Sequence, residues 1–487
     1  MKQTKRIIQN SLIVTVGSTT SAFLNFAVAI LIARFLGTED FGHYSFIIAF
    51  TGLFQLFADS GLRNILIRNI SINKENLERE FGLTRALVWI LSLAAMAIIV
   101  VVINLINPTQ EVLYSTYLAG VGVIAIFHAA TYGAVIRAFE EMGLLMVGAN
   151  LHKVIFGGLV FLITEMKWGL PGICLSLLLS NLFLWAYNYS IVRLRYVTPK
   201  LLFERKACLS LLSESIPLGI AEILRKATWQ IDILILTWLT SAYYVGLYSA
   251  SYKIIQAVNL FALTLAIPFY PAFSRLAKIS SERLLASYEK SFKFLCVFSI
   301  PLATGITLFS HNIIGTFFGQ EFLPAAPALK ILSWTIFFIF PTSFYIYLFT
   351  AMGKQRLYTI CTGTCLGINI LLDLLLIPSY NYIGASIATL ISEAILFMVG
   401  LYLLQKEGYR VFLVRLLWKP VTGSLIMGFF LYQVETSTIP WLLMKAVSGG
   451  IIYTVVILLL QTFSREEITL IKESIGLKPG LLISNRR

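Results

Sequence analysis

Charge is what this 487-residue chain has least of: Asp, Glu, Lys and Arg together make up 13% of it. A soluble protein carries about 25% charged and about 45–50% apolar residues. Here 58% are hydrophobic and the mean hydropathy is +0.82. So few charges cannot dress a water-facing surface, which excludes a soluble enzyme, a disordered scaffold and a nucleic-acid-binding domain. The five cysteines (Cys174, Cys208, Cys296, Cys361, Cys365) fit no disulfide framework, and all but Cys208 lie in apolar runs. Cys361 and Cys365 share a helix face, but with no His or Cys nearby they read as small apolar filler, not a metal pair. The chain also lacks a P-loop, an HExxH and an acidic pair in a sizeable loop. Catalysis is therefore disfavoured, and transport is the default.

What is present is apolar length. A spanning helix needs about 20 mainly apolar residues. Fourteen such stretches lie near 11–36, 43–66, 82–106, 112–136, 143–164, 169–192, 213–238, 243–272, 292–318, 325–351, 357–377, 382–404, 411–434 and 441–463. The first is too long for a cleaved signal and has no small-residue cleavage site. The connecting segments give the orientation. With the N-terminus inside, the outward loops (37–42, 107–111, 165–168, 239–242, 319–324, 378–381, 435–440) contain one basic residue, Lys167. The inward loops and both tails hold the other loop cations, from Lys5 and Arg6 through Arg193, Arg205 and Arg283 to Lys406 and Arg410. This asymmetry predicts an all-α polytopic membrane protein with about fourteen transmembrane helices and both termini cytoplasmic. Most of the net charge of +14 thus reports topology. At the C-terminal end, Ser464 with Glu467 forms a capping box, and 464–476 reads as an interfacial helix.

The chain resembles itself. Gly42-His43-Tyr44-Ser45 matches Gly246-Leu247-Tyr248-Ser249, and Leu56-Phe57 matches Leu260-Phe261, both at an offset of 204. Met142-Gly143 matches Met352-Gly353 at 210, and Gly172, Leu178 and Ser180 match Gly384, Leu390 and Ser392 at 212. Six helices separate the copies, an even number, so the halves share one orientation as parallel repeats. The expected organisation is an N-lobe at 1–192, a cytoplasmic linker at 193–212 and a C-lobe at 213–405. Two appended helices at 406–463 and a tail at 464–487 follow. Pro217, Pro268, Pro271, Pro301 and Pro341 read equally as gate hinges and as prolines that membrane helices tolerate.

Several blocks resemble a known family. Ala33-Arg34-Phe35-Leu36-Gly37-Thr38-Glu39-Asp40-Phe41-Gly42-His43-Tyr44 is similar to the first helix and loop of polysaccharide flippases of the O-antigen and teichoic-acid type. These belong to the multidrug/oligosaccharidyl-lipid/polysaccharide exporter superfamily. Gly246 to Ile254, Ser299-Ile300-Pro301-Leu302 with Phe318 to Phe322, and Ala351 through Pro378 and Gly384 to Glu393 resemble later blocks of the same family, in order. The likeness covers about residues 1–405. It implies two six-helix lobes in a V. It also implies transport of a polyprenyl-diphosphate-linked oligosaccharide, the polysaccharide repeat unit, from inner to outer leaflet by alternating access. The implied setting is the cytoplasmic membrane, with membrane lipids and a polysaccharide polymerase or other assembly-pathway proteins as partners and no nucleic acid. No cofactor is implied beyond coupling to H+ or Na+. The alternative within the superfamily is an ion-coupled multidrug antiporter.

Charges inside apolar spans face a cavity or a partner, because one at a helix centre costs about 2.5–3.5 kcal/mol on insertion scales. The seventh span is the densest: Glu222, Arg225, Lys226 and Asp232 fall on one arc at 100° per residue, with Trp229 and Gln230. The eighth places Ser249, Lys253 and Gln256 on one face, and the fifth places Asn150 and Lys153 on one face. The functional reading is a cationic cavity in which Lys153, Arg225, Lys226 and Lys253 attract a diphosphate, with Trp229 and nearby tyrosines stacking on sugars. The structural reading pairs Glu222 with Arg225 or Lys226, and Asp59 with Arg63. For Asp59–Arg63 the ion pair is favoured; for Arg225 and Lys253 the cavity is. Coupling carboxylates are sought among Asp59, Glu222, Asp232 and Glu393. His128 and His152 are relay candidates that read first as structural, as does His311.

Overall fold

The structure is a computed structural model that describes residues 2–59, 61–266, 269–409, 413–433 and 439–462. The side chains of some of these, Asp59, Pro217, Glu222 and Pro271 among them, are not described; the expected interfacial helix at 464–476 and Pro268 lie outside the described residues. Every regular element described is a helix. Within hydrocarbon each backbone N–H and C=O must be satisfied inside its own segment, and uninterrupted apolar runs achieve this as helices.

The first half comprises α1 (Lys2–Asp59), α2 (Leu62–Ile72), α3 (Leu77–Ile106), α4 (Gln110–Ala138), α5 (Met142–Met166) and α6 (Gly169–Arg195). The second comprises α7 (Arg205–Ala227), α8 (Ile231–Leu239), α9 (Ala242–Ala266), α10 (Tyr270–Leu276), α11 (Ser281–Phe317), α12 (Ala326–Ser333), α13 (Thr335–Thr342), α14 (Tyr345–Ala351) and α15 (Gln355–Lys406). Beyond them lie α16 (Leu413–Gln433) and α17 (Ile439–Leu459), which pack on α11; Tyr453 Oη donates to Val297 O at 2.6 Å.

Among the described residues, eight helices are long and apolar enough to cross a membrane, or nine with the bent pair Gln320–Ser333 and Thr335–Ala351 taken as one. Two of the eight have the length of two spans. The 52 residues of α15 would run about 78 Å, more than twice a hydrocarbon core of about 30 Å. The helix breaks at Asn381 (φ 49°, ψ −133°), as α1 breaks at Gly37 (φ 76°, ψ −177°). Only glycine adopts the Gly37 conformation without strain. The loops expected at 37–42 and 378–381 are thus single-residue breaks. Correspondingly, the linker expected at 193–212 is helical to Arg195 and again from Arg205 onward.

The run expected as one seventh span is two helices. Trp229 N bonds Lys226 O (3.1 Å) and Gln230 N bonds Ala227 O (3.0 Å), i→i+3 bonds that tighten and end α7. Gln230 then leaves the helical conformation (φ −123°, ψ −20°) before α8 starts. The single arc predicted for Glu222, Arg225, Lys226, Trp229, Gln230 and Asp232 does not survive this break.

The halves meet along α1 and α9. A Cβ on Gly42 would stand 1.9 Å from Ala242 O, and one on Gly246 would stand 1.9 Å from Thr38 O. Thr38 with Ala242 and Gly42 with Gly246 are both related by the repeat offset of 204, so the contact is reciprocal. Only two glycines permit backbones this close. Beside the seam, Thr38 N donates to Glu321 Oε1 (2.6 Å), and Arg34 Nε donates to Phe317 O (2.8 Å). Phe41 packs on Phe318 and Phe322. One end of the interface between the halves is therefore closed.

Candidate functional site

Three arrangements contain the residues singled out by the sequence. The first is basic. Lys153 on α5 donates to Asn25 on α1 (3.2 Å), and Lys253 on α9 donates to Gln256 one turn on (3.4 Å). The two ammonium groups lie close enough to repel each other, although they come from different halves and neither has a carboxylate in hydrogen-bond contact. Asn150 does not face this space as a free group. Its Oδ1 accepts from Ser21 Oγ (2.8 Å) and its Nδ2 reaches Gly17 O (3.3 Å), tying α5 to α1.

The second is a cavity of about 80 Å³ in the second half. It is lined by Arg225, Trp229, Asn259, Tyr358 and Glu393 and continues to Tyr252, Gln256 and Thr389. Arg225 stands near Tyr347 and Tyr358. Gln256 joins this space to Lys253. An indole, phenols and side-chain amides around one guanidinium provide stacking faces and hydrogen bonds together, the chemistry that holds a sugar ring carrying polar substituents. Lys226 is half-buried on α7 beside it.

The third is acidic. Asp232, the second residue of α8, is 1% exposed. Its Oδ2 accepts from Tyr248 Oη and from Thr389 Oγ1 (2.9 Å). Asp373 and Asn369 on α15 abut it and are fully buried. Yet Asp232 Oδ1, both carboxylate oxygens of Asp373 and the amide of Asn369 make no hydrogen bond of acceptable geometry. Buried oxygens left unpartnered cost about 1–3 kcal/mol each, and more when charged, so this set calls for a positive guest. The donors are carboxylate, amide and hydroxyl oxygens, which suit a hard cation or a proton. Among the described residues no group of three or more His, Cys, Asp or Glu gathers, so no transition-metal set forms there.

The remaining candidates scatter. Asp59 and Glu222 have no described side chains, which leaves both expected ion pairs outside the described residues. Arg63 lines a separate cavity of about 470 Å³ in the first half with Asn64, Arg137 and Asn188. His152 is held by Asn181 (2.9 Å), and His128 is stacked between Trp89 and Trp185, centroids 4.1 and 5.1 Å away. Only His152 has the hydrogen bond expected of a structural histidine; neither ring nitrogen of His128 is hydrogen-bonded. Cys361 and Cys365 are buried and free. Sequence reasoning missed Asp373, Asn369 and Tyr248. A signal existed: Asn369 and Asp373 sit i, i+4 in a run (357–377) with no other charge.

This is the interior of a transporter, not of an enzyme: cations, carboxylates and a polar cavity inside a polytopic helical bundle. Residues 7–277, more than half of the chain, match the polysaccharide biosynthesis protein family, and the chain belongs to it. A probable low-salt glycan biosynthesis flippase of Haloferax volcanii is 24% identical over 472 residues, spanning 93% of this chain and 96% of that protein. Among solved structures, the fold is similar to lipid II flippase MurJ in an inward closed conformation (TM-score 0.78, 16% identity, 96% of this chain and 100% of that one). It is also similar to an inward-facing multidrug resistance MATE family transporter (TM-score 0.64, 16% identity, 80% and 94%). At these identities the two structures establish the fold alone, that of a multi-pass helical membrane protein.

Proposed function

We propose that this protein is a flippase that carries a polyprenyl-diphosphate-linked oligosaccharide from the inner to the outer leaflet by alternating access. The observation that carries this reading is the pair Lys153 and Lys253, two cations from different halves, each hydrogen-bonded to a side-chain amide and not to a carboxylate. Held apart from any acidic partner, such a pair is costly in a membrane and is stabilised by a dianionic guest; the diphosphate supplies it. The sugars then occupy the cavity at Arg225, Trp229 and Gln256. The glycan flippase in Haloferax volcanii, a relative along nearly the whole chain, supports the same substrate class.

The protein works with fourteen spans in two parallel six-helix lobes, and both termini are cytoplasmic. The reciprocal Gly42/Gly246 seam supports this arrangement. The closed seam is the outward end, where Glu321 and Arg34 hold it, and the lobes rock about it. The driving ion, H+ or Na+, binds between Asp232 and Asp373 with Asn369 and Thr389. Glu393 lines the cavity one turn from Thr389 and is the approach to that site. A multidrug antiporter for cationic drugs would present an acidic cavity; the lysine pair argues against it.

Complementation tests the reading. Wild type should restore glycan export to a flippase-deficient strain, and Lys253→Ala should not, at equal membrane abundance. Normal export by Lys253→Ala would defeat the cationic-cavity reading. Drug efflux without glycan export by the wild type would make the protein an antiporter.

A further inference from the structure

A flippase substrate of this kind has two incompatible parts. The diphosphate and sugars require a polar site, while the prenyl tail is stable only in hydrocarbon, since moving it into a wet cavity would expose apolar surface. A binding site for the head must therefore open sideways to the bilayer, and the tail must leave through a definite gap between helices.

One gap stands beside the lysines. An apolar groove of about 670 Å³ runs between α1 and α5. Ile13 and Val16 form one wall and Val147, Leu151 and Val154 the other. Val16 is 65% and Val154 is 54% exposed, so both walls of the groove are open at the helix surface. Its floor lies at Gly143, where an added Cβ would meet nothing within 4 Å. At its inner edge the two helices are joined by the Asn150 hydrogen bonds to Gly17 and Ser21. One turn further along α5, Lys153 bonds Asn25 of α1. At 100° per residue Val147 and Val154 lie on one side of Asn150, and Met146 and Lys153 on the other. Met146 and Asn150 also line the groove, and Lys153 lies one turn beyond Asn150, on the side of α5 turned from the Val147 and Val154 wall. Asn150, the polar group between them, suits the point where the head of an amphiphile joins its tail.

We propose that the α1–α5 groove seats the head-proximal part of the prenyl tail while the diphosphate lies at Lys153 and Lys253. This rests on the flippase reading and adds a tail subsite to it. The ligand is the apolar tail of the transported lipid itself; bulk phospholipid is the competing occupant that the test separates.

The experiment uses full-length protein in proteoliposomes and two substrates with one diphosphate-sugar head, one on a long polyprenyl tail and one on a short, water-soluble prenyl tail. Val147→Trp and Val154→Trp fill the groove from its lipid-facing wall. Each should slow long-tail transport about tenfold and leave short-tail transport near wild type. Leu93→Trp, on an exposed position of α3 away from the groove, should change neither. As a measurement on unaltered protein, a long-tail substrate with a photoreactive group near the diphosphate should label α1 or α5. Equal transport of both substrates by the filled variants, or labelling confined to other helices, overturns the tail subsite and leaves the flippase reading intact. A wild-type protein that moves neither substrate overturns both.

Discussion

The lysine pair and the carboxylate cluster are opposite solutions to ionisable groups in a membrane. Lys153 and Lys253 are partly buried, and each is held by one amide. Asp232 and Asp373 are wrapped by α8, α9 and α15, with Tyr248 and Thr389 as donors and several oxygens unanswered. One site is open and basic, built across the halves; the other is closed and acidic, built within one half. A large anionic guest needs the first and a small cation the second. On the proposed reading, charge sign separates cargo from driving ion, and Thr389 and Glu393, which line one small cavity, stand between the two sites.

The comparison breaks most visibly at the acidic site. Asp232→Asn and Asp373→Asn keep shape and remove charge. Each should abolish gradient-driven glycan transport, a loss of about a hundredfold or more, while binding of the lipid-linked substrate to detergent-purified protein persists. Imposing Na+ and H+ gradients separately on proteoliposomes then identifies the ion. If either variant transported at the wild-type rate, the cluster would be structural only.

The basic site should respond the other way. Lys153→Ala and Lys253→Ala should weaken substrate binding by about tenfold each, with ion binding retained. Lys253→Arg should recover much of it, since the charge returns. Isothermal titration with a diphosphate lipid measures this.

The seam lies between the two and sharpens the comparison through conformation. Gly246→Ala puts a methyl where only 1.9 Å is available to Thr38 O. Overpacking of this sort costs about 1–3 kcal/mol. The variant should lower thermal stability of the closed state and increase labelling of cysteines placed at Thr38 or Ala242. An unchanged melting temperature would mean the backbones separate freely.

The smallest effect lies at the exposed loops. The Arg79 guanidinium bonds Glu204 at 2.8 Å and holds its carboxyl below the usual carboxylate range. A depressed pKa stabilises the fold above the ordinary carboxylate range, and that contribution is lost as pH falls through the folded-state value. Glu204→Gln should therefore reduce stability slightly at neutral pH and not at strongly acid pH. Salt should erase the difference, since both groups are exposed. Thermal melts at two pH values and two ionic strengths check it.

Particular elements show how far the sequence could be read. The fourteen apolar runs are mostly helical where they are described, because apolar length and backbone self-satisfaction decide that locally; the breaks inside them, at 228–230 and 343–344 among others, were not legible. Gly42 and Gly246 were visible as a repeat, but not as a contact. Lys153, Lys253, Arg225 and Trp229 were legible because a charge or indole in an apolar run is conspicuous. Asp232 was legible as a charge yet misplaced: the uniform 100° rotation was carried across 228–230, where i→i+3 bonds end the helix. Asp373 and Asn369 went unread because their significance depends on a residue about 140 positions earlier.

The chain's sparse and unevenly distributed charge determines by itself that the protein lives in a membrane and that its segments are helices. Those properties follow from local transfer energies and from periodicity within one segment. Tertiary structure decided which charges meet. It brought Lys253 within reach of the charge on Lys153, set Asp232 against Asp373, and put Arg63 with Arg137 at a different cavity. Electrostatic contact depends on distances across helices that no single segment encodes, and on breaks of one to three residues that turn one face away from another.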